Sequence, residues 1–184
     1  MRLLQMKLEI ERKFLLKDQS WKAGVVGVRT LSDGLLSSHN GNKTRARCDD
    51  ARGLITIKGP KAGFSRVEYE FEIPLADAQY MLANLCGANV CRKIRYTVLD
   101  AGNIWYVDVY EDVLEGFVIA EIEIADENEV FSLPLWIGPE VTGNHHYGKW
   151  VTLARLTAVA EARKSERVKL VQPKAPGFLA DVLA

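Results

Sequence analysis

Charged side chains alternate with apolar ones along several short stretches of this sequence, and the charges are sorted by sign. Glu9 and Glu11 stand two residues apart, and Lys93 and Arg95 form a basic run with the same spacing. A period of two is typical of a strand with one charged face. The acidic positions on these faces are Glu9, Glu11, Glu68, Glu70, Glu72, Asp108, Glu121 and Glu123. The basic positions are Lys13, Lys43, Arg45, Arg47, Lys58, Arg66, Lys93 and Arg95.

These two sets of side chains suit a polyanion that is delivered with a divalent metal. Clustered carboxylates without His or Cys favour a hard cation such as Mg²⁺ or Mn²⁺. Arginine offers a planar fork to phosphate oxygens, and lysine offers a point charge. Polyphosphate is therefore the natural candidate ligand. The adjacent His145 and His146 lie in a polar loop, where we expect solvated side chains rather than a metal site.

The ordinary interpretation of the alternation is an antiparallel sheet with one face on a core and the other in water. The sorting of charges argues against it, because like charges two residues apart repel one another. Eight strands can instead close into a barrel that holds one small ligand. Inward charge on this scale needs water, metal or ligand to satisfy it, so the pattern indicates a function rather than a source of stability.

The elements that would position these side chains are eight strands and two helices. Strands are predicted over residues 8–16, 28–36, 43–48, 54–58, 65–73, 91–98, 104–110 and 118–124. Helical spacing predicts helices over residues 75–86 and 147–163. From residue 164 the composition changes, so we expect one domain over residues 1–160 and a C-terminal tail, helical or linker-like, over residues 161–184.

Composition excludes several classes of protein. The chain has 24 Lys and Arg and 24 Asp and Glu among 184 residues, and a net charge of zero disfavours a general nucleic-acid binder. Three cysteines without CxxC spacing disfavour a disulfide framework or a structural zinc site. No apolar run could span a bilayer, and Glu9 and Glu11 interrupt any signal-peptide core. We expect a cytoplasmic protein with no nucleic-acid or membrane partner. A homodimer stays an alternative, because the C-terminal helix could pack against a second copy of the chain.

Eight short motifs follow one another in the order of a known family. They are Glu-Ile-Glu-Arg-Lys at 9–13, Arg-Ala-Arg at 45–47, Thr-Ile-Lys-Gly at 56–59, Arg-Val-Glu-Tyr-Glu at 66–70, Lys-Ile-Arg-Tyr at 93–96, Val-Asp-Val at 107–109, Ala-Glu-Ile-Glu at 120–123 and Glu-Val-Thr at 140–142. Over about residues 7–155 the chain resembles the CYTH superfamily of triphosphate tunnel metalloenzymes. Its motifs are most similar to those of the bacterial inorganic tripolyphosphatase branch.

The resemblance implies an α+β fold, mainly antiparallel β, whose eight strands form a closed barrel, the triphosphate tunnel, with flanking helices. The metal-binding residues that it implies are Glu9, Glu11, Asp108, Glu121 and Glu123. The substrate-binding residues are Lys13, Arg45, Arg47, Lys58, Arg66, Lys93 and Arg95. Glu68 and Glu70 are implied as supporting tunnel acids, and catalytic roles fall to Glu9, Glu11 and Lys13.

The reaction that the resemblance implies is hydrolysis of a small-molecule triphosphate with Mg²⁺ or Mn²⁺. Inorganic tripolyphosphate, cleaved to pyrophosphate and phosphate, is the first candidate substrate. A class IV adenylate cyclase, or a hydrolase of thiamine or nucleoside triphosphates, would use the same fold. A non-catalytic module that binds polyphosphate is the third alternative.

Two segments depart from the pattern of the tripolyphosphatase branch. Residues 33–36 read Asp-Gly-Leu-Leu where the branch usually reads Gln-Gly-Tyr-Leu. Leu35 therefore lacks a hydroxyl that could contact Lys93, and we expect a different rate or substrate choice. Residues 146–149 read His-Tyr-Gly-Lys where the branch tends to read Arg-Tyr-x-Asn, which leaves the role of that loop open.

Overall fold

The computed structural model describes residues 7–171 and consists mainly of one antiparallel sheet of nine strands. The strands are β1 (Leu8–Leu16), β2 (Val25–His39), β3 (Asn42–Cys48), β4 (Gly53–Lys58), β5 (Ser65–Ile73), β6 (Val90–Asp100), β7 (Asn103–Tyr110), β8 (Val118–Glu123) and β9 (Ile137–Glu140). The helices are α1 (Leu75–Asn84) and α2 (Lys149–Val171). Three short 3-10 segments span Ser20–Gly24, Asp112–Leu114 and His145–Tyr147. No helix within residues 7–171 has the length and apolar character needed to cross a membrane.

Eight of the strands close into a ring. Their order is β5-β4-β3-β2-β6-β7-β8-β1, and β1 pairs again with β5, where Glu9 lies opposite Arg66. β8 occupies one edge of β1, and β9 continues the other edge beyond β5, where Phe14 pairs with Glu140. The predicted closed antiparallel architecture is confirmed. The ninth strand was not predicted.

Tight turns fix the register of adjacent strands. Asn40 and Gly41 connect β2 to β3 with φ values of +47° and +79°. Ala101 and Gly102 connect β6 to β7 with φ values of +49° and +77°. Two-residue turns with positive φ at both positions match the right-handed twist of a hairpin. These turns therefore place the charged positions of neighbouring strands opposite one another.

The apolar core lies outside the ring. Along β7, Trp105 and Val107 are fully buried in the core, while Tyr106 points to the opposite face and lines an internal cavity. The Trp105 ring packs edge to face against Phe14 and Trp136, with centroids 5.7 and 5.6 Å away. Burial of these large rings on the outer face stabilises a ring whose inner face is charged.

The two helices cover different parts of the outer surface. α1 lies so close to β2 and β4 that a Cβ on Gly34 would be 2.6 Å from Leu82 Cδ2, and one on Gly53 would be 2.6 Å from the Ala78 Cβ. Glycine at these two positions is therefore required by the close approach. α2 packs against Asp112–Leu114 and contributes Leu153 to a second apolar cluster.

The boundaries of α2 differ from the prediction at both ends. Residues 145–147 form a 3-10 segment, in which the Asn144 side chain accepts a hydrogen bond from the His146 backbone N–H, and α2 begins at Lys149. The helix continues to Val171, beyond the change in composition at residue 164. The domain boundary after residue 160 stays a prediction, and residues 172–184 of the predicted tail lie outside the described residues.

A charged tunnel as the candidate functional site

A cavity of about 630 Å³ lies inside the ring of strands. Within residues 7–171 its wall contains thirteen basic and seven acidic side chains, so the wall has an excess of positive charge. All the predicted substrate-binding residues contribute to it, namely Lys13, Arg45, Arg47, Lys58, Arg66, Lys93 and Arg95. Six predicted acids also contribute, namely Glu9, Glu11, Glu68, Glu70, Glu121 and Glu123. A low-dielectric cavity lined by one excess sign of charge concentrates small ions of the opposite sign.

Glu9 holds two bases in place where β1 meets β5. Its Oε1 accepts a hydrogen bond from Lys58 Nζ at 2.8 Å, and its Oε2 accepts one from Arg66 Nε at 2.5 Å. Burial opposes the ionisation of Glu9, but the charges of Lys58 and Arg66 outweigh it and lower the pKa of this carboxyl. Glu68 lies 2.7 Å from the same Lys58 Nζ. This part of the wall is therefore a fixed ion-pair network.

Asp108 lies fully buried behind the cavity wall and orients two more bases. Arg95 donates from Nε to Oδ1 at 2.7 Å and from Nη2 to Oδ2 at 2.8 Å, and Lys93 contacts the same carboxylate. Burial opposes the ionisation of Asp108, but Lys93 and Arg95 lower its pKa. Both carboxylate oxygens are occupied. Asp108 is therefore better placed to hold Lys93 and Arg95 than to coordinate a metal.

Lys93 has an unusual environment for a lysine. Burial and the charge of Arg95 lower the pKa of Lys93 to about 7, in spite of its contact with Asp108. Its Nζ lies 5.5 Å from the centroid of the Tyr110 ring. Leu35 pairs with Arg45 in the β2–β3 ladder, and its expected effect on rate or substrate choice stays a prediction.

Glu11 and Glu123 lie directly opposite each other on β1 and β8. Glu11 is 7% exposed, and its Oε2 forms an ion pair with Lys13 Nζ at 2.8 Å. Among the side chains that the structure describes, Glu123 has no ion-pair partner, and burial and the charges of Glu11 and Glu9 raise its pKa. Two facing carboxylates, only one of which is paired with a base, form a donor set that fits a hard cation.

The other predicted metal ligands, Glu9, Asp108 and Glu121, each contact two bases, whereas Glu11 contacts only Lys13 among the described side chains. Glu121 contacts Lys13 and accepts a hydrogen bond from Arg95 Nη2 at 2.6 Å. In the described part of the chain, no three His, Cys, Asp or Glu side chains form a cluster that could hold a metal ion. Glu11 and Glu123 are therefore the predicted ligands whose positions best fit this role. His145 and His146 are exposed, as expected for a solvated loop.

Several bases of the wall, among them Arg29, Lys61 and Lys149, and one buried acid were not among the predicted site residues. Arg29 shares the inner face of β2 with Leu31 and Asp33, so the period of two could have revealed it within the predicted strand over residues 28–36. Lys61 lies in the loop between β4 and β5, and Lys149 is the first residue of α2. Neither of these two positions carries a periodic signal. Asp33 is fully buried beside Arg47 and Lys149.

Comparison with known proteins adds an independent observation. The CYTH domain family matches residues 7–150. The inorganic triphosphatase of Acetivibrio thermocellus is 42% identical over 139 residues, which cover 76% of this chain and 88% of that protein. The inorganic triphosphatase of Nitrosomonas europaea is 30% identical over 143 residues, with coverages of 76% and 92%. A crystal structure of an inorganic triphosphatase superposes with a TM-score of 0.58 at 28% identity, covering 79% of this chain and 97% of that one.

Proposed function

This chain belongs to the CYTH domain family, and we propose on that premise that it hydrolyses inorganic tripolyphosphate to pyrophosphate and orthophosphate inside its tunnel. The curated relatives are named inorganic triphosphatases, which supports hydrolysis of a triphosphate. The observation that carries the proposal is the closed ring of strands, whose cavity wall has thirteen basic against seven acidic side chains. A linear chain of phosphates, charged along its whole length and without an organic group, suits such a cavity.

The bases are held in place before any substrate arrives. Glu9 fixes Lys58 and Arg66, and Asp108 fixes Lys93 and Arg95. Cations held in this way need little rearrangement when a phosphate chain enters. They then stabilise the charge that develops on the phosphoryl oxygens during transfer. Their role is therefore to bind and orient the substrate.

Glu11 and Glu123 are the residues that we assign to a divalent cation, Mg²⁺ or Mn²⁺. Mg²⁺ is usually held by one or two carboxylates together with substrate phosphates rather than by a cage of protein ligands. The lack of a three-residue cluster within residues 7–171 agrees with this mode of binding. When bound, the cation neutralises charge on phosphate oxygens. Glu9, Asp108 and Glu121 are assigned to holding the bases that they contact.

Glu11 is also the carboxylate that we assign to orienting the attacking water. Its side chain contributes to the cavity wall, where its Oε2 is paired with Lys13 Nζ at 2.8 Å. Glu9, the other predicted candidate, is a poor proton acceptor because Lys58 and Arg66 lower its pKa. Burial opposes a charge on Lys13, but Glu11 and Glu121 outweigh it and raise its pKa. Lys13 therefore stays cationic and stabilises negative charge near the attacked phosphorus.

The test is phosphate release from tripolyphosphate, thiamine triphosphate, ATP and pyrophosphate, each with Mg²⁺ or Mn²⁺. We expect the highest kcat/KM with tripolyphosphate. Faster cleavage of thiamine triphosphate, or conversion of ATP to cyclic AMP, would establish one of the alternative activities instead. Binding of tripolyphosphate with no turnover of any compound would identify a non-catalytic polyphosphate-binding module.

A further inference from the structure

A buried acid on β2 and the first residue of α2 form an ion pair across the structure. Asp33 and Lys149 are 116 positions apart, and the Lys149 ammonium donates a hydrogen bond to the Asp33 carboxylate. The contact joins a strand of the ring to a helix outside it.

Asp33 is the centre of a cluster of three cations. Its side chain is fully buried, and it accepts hydrogen bonds from Arg47 Nε at 2.6 Å and from Arg47 Nη2 at 3.0 Å. Arg45 Nη1 lies 3.6 Å from the same carboxylate. Burial opposes the charge of Asp33, but Arg47, Lys149 and Arg45 outweigh it and lower the pKa of the carboxyl. One buried carboxylate therefore fixes two arginines and one lysine.

Lys149 connects this cluster to a segment that forms part of the cavity wall. It is the first residue of α2, and the cavity is lined by residues of the segment 143–151 that precedes and begins this helix. Tyr147 and Trp150 of this segment pack with Cys91 and Tyr110, at the end of the ring where β6 begins and β7 ends. The Lys149 contact therefore ties the segment 143–151 to β2 at that end of the tunnel.

We propose that Asp33 and Lys149 are a pair of positioning residues that organises one end of the tunnel for the phosphate chain. The Asp33 carboxylate aims Arg45 and Arg47 into the cavity, and its contact with Lys149 holds the segment 143–151 over the same end. For its substrate, this inference rests on the proposed function. Because Glu11 and Glu123 lie on β1 and β8, away from this pair, loss of the pair weakens substrate binding more than it slows the chemical step.

The two members of the pair are not equivalent. Asp33→Asn leaves three neighbouring cations without their carboxylate, and uncompensated buried charge is strongly unfavourable. Lys149→Asn leaves Asp33 with both arginines, so it has the smaller effect. In the double variant the Lys149 charge no longer repels Arg45 and Arg47. The double variant is therefore less impaired than the two single effects predict.

A double-mutant cycle tests this coupling. Tripolyphosphate binding is measured by calorimetry without added metal, KM and kcat are measured with Mg²⁺, and urea unfolding is measured without ligand. We expect affinity to fall about tenfold in Asp33→Asn and about threefold in Lys149→Asn, with the double variant close to Asp33→Asn rather than to the product of about thirtyfold. KM changes more than kcat in each variant. Lys22→Asn, at an exposed lysine that contacts Gln19, is the matched control and leaves all three readouts unchanged.

Two results would overturn the proposal. One is a double variant whose loss of affinity equals the product of the two single losses. The other is a fall in kcat with unchanged KM in the single variants. If Asp33→Asn does not fold, the affinity of Lys149→Arg for tripolyphosphate tests the proposal instead. Because arginine keeps the positive charge, this variant must retain the affinity that Lys149→Asn loses. A wild-type protein that neither binds nor cleaves tripolyphosphate would contradict the proposed function, whereas urea unfolding still reports the coupling between Asp33 and Lys149.

Discussion

Glu11 and Glu123 face each other directly across the ladder between β1 and β8. Two residues further along the same ladder, Lys13 faces Glu121. Opposite charges at directly opposed positions attract, whereas like charges there destabilise a sheet. Along this ladder a repulsive pair is therefore followed, two residues later, by an attractive pair. A cation bound between Glu11 and Glu123 would relieve their repulsion, whereas the neighbouring acids are already paired with bases.

Glu123→Gln should therefore raise stability and lower activity. Without metal, removing one of two facing charges should stabilise the fold by about 0.5 kcal/mol. Metal-dependent turnover should fall about 100-fold, because a proposed metal ligand is lost. Urea unfolding with a chelator and phosphate release with Mg²⁺ measure the two effects. Glu115→Gln, at an exposed acid outside the tunnel, is the control. Full activity in Glu123→Gln would refute the proposed metal site.

Glu9→Gln should destabilise the protein in a manner that depends on pH. Removing the carboxylate leaves Arg66 without its partner and Lys58 with Glu68 alone, which should cost about 3 kcal/mol at pH 7. The pKa of Glu9 is lowered from the ordinary 4.5, so its stabilisation is complete above that pH and is lost as pH falls below it. Urea unfolding at pH 7 and at about pH 3 should show the wild type and the variant converging in acid. A difference that stays constant or widens in acid would contradict this role.

The charge of Lys93 should give substrate binding a pH dependence near neutrality. Because burial and Arg95 lower its pKa to about 7, Lys93 is cationic below this pH and neutral above it. Affinity for tripolyphosphate should therefore fall as pH rises through 7, beyond any change due to the substrate itself. Lys93→Met should bind more weakly at pH 6 and lack this additional step. The affinity of wild type and of Lys93→Met for tripolyphosphate is measured by calorimetry without metal between pH 6 and 8. If the affinities of the two proteins change with pH in parallel, Lys93 does not have this role.

Lys58→Ala should weaken binding more than it slows the reaction. Lys58 Nζ lies between Glu9 and Glu68 at the cavity wall, where it can contact a phosphate oxygen. Loss of one charge-assisted contact should raise KM for tripolyphosphate about tenfold and change kcat by less than about threefold. Initial-rate kinetics separate the two parameters, and Lys22→Ala controls for the loss of a surface lysine. A fall in kcat at constant KM would assign Lys58 to the chemical step.

The sequence allowed much of the fold to be predicted, because alternation is a local property. The strands over residues 8–16 and 65–73 have the predicted bounds, since both combine a strict period of two with a clear end. The strand over residues 28–36 is longer in the structure, where it reaches from Val25 to His39. Ile137–Glu140 was missed as a strand because it has four residues and contains Pro139.

The candidate site was predictable only in part, because its contacts join distant residues. The period of two placed the main acids and bases on the inner face, and the structure brings them to one cavity. It could not show that Asp108 is occupied by Lys93 and Arg95 while Glu123 has no base partner among the described side chains. The contact between Asp33 and Lys149 has no local signal in the sequence either. These distinctions depend on the register and closure of the sheet.

Product analysis by phosphorus NMR distinguishes hydrolysis of tripolyphosphate from binding alone. Wild-type protein is incubated with tripolyphosphate and Mg²⁺, and the resonances of substrate and products are followed over time. We expect tripolyphosphate to disappear while orthophosphate and pyrophosphate form in equal amounts, and we expect a chelator to stop the reaction. Tripolyphosphate that remains intact with Mg²⁺ and with Mn²⁺ would contradict the proposed function.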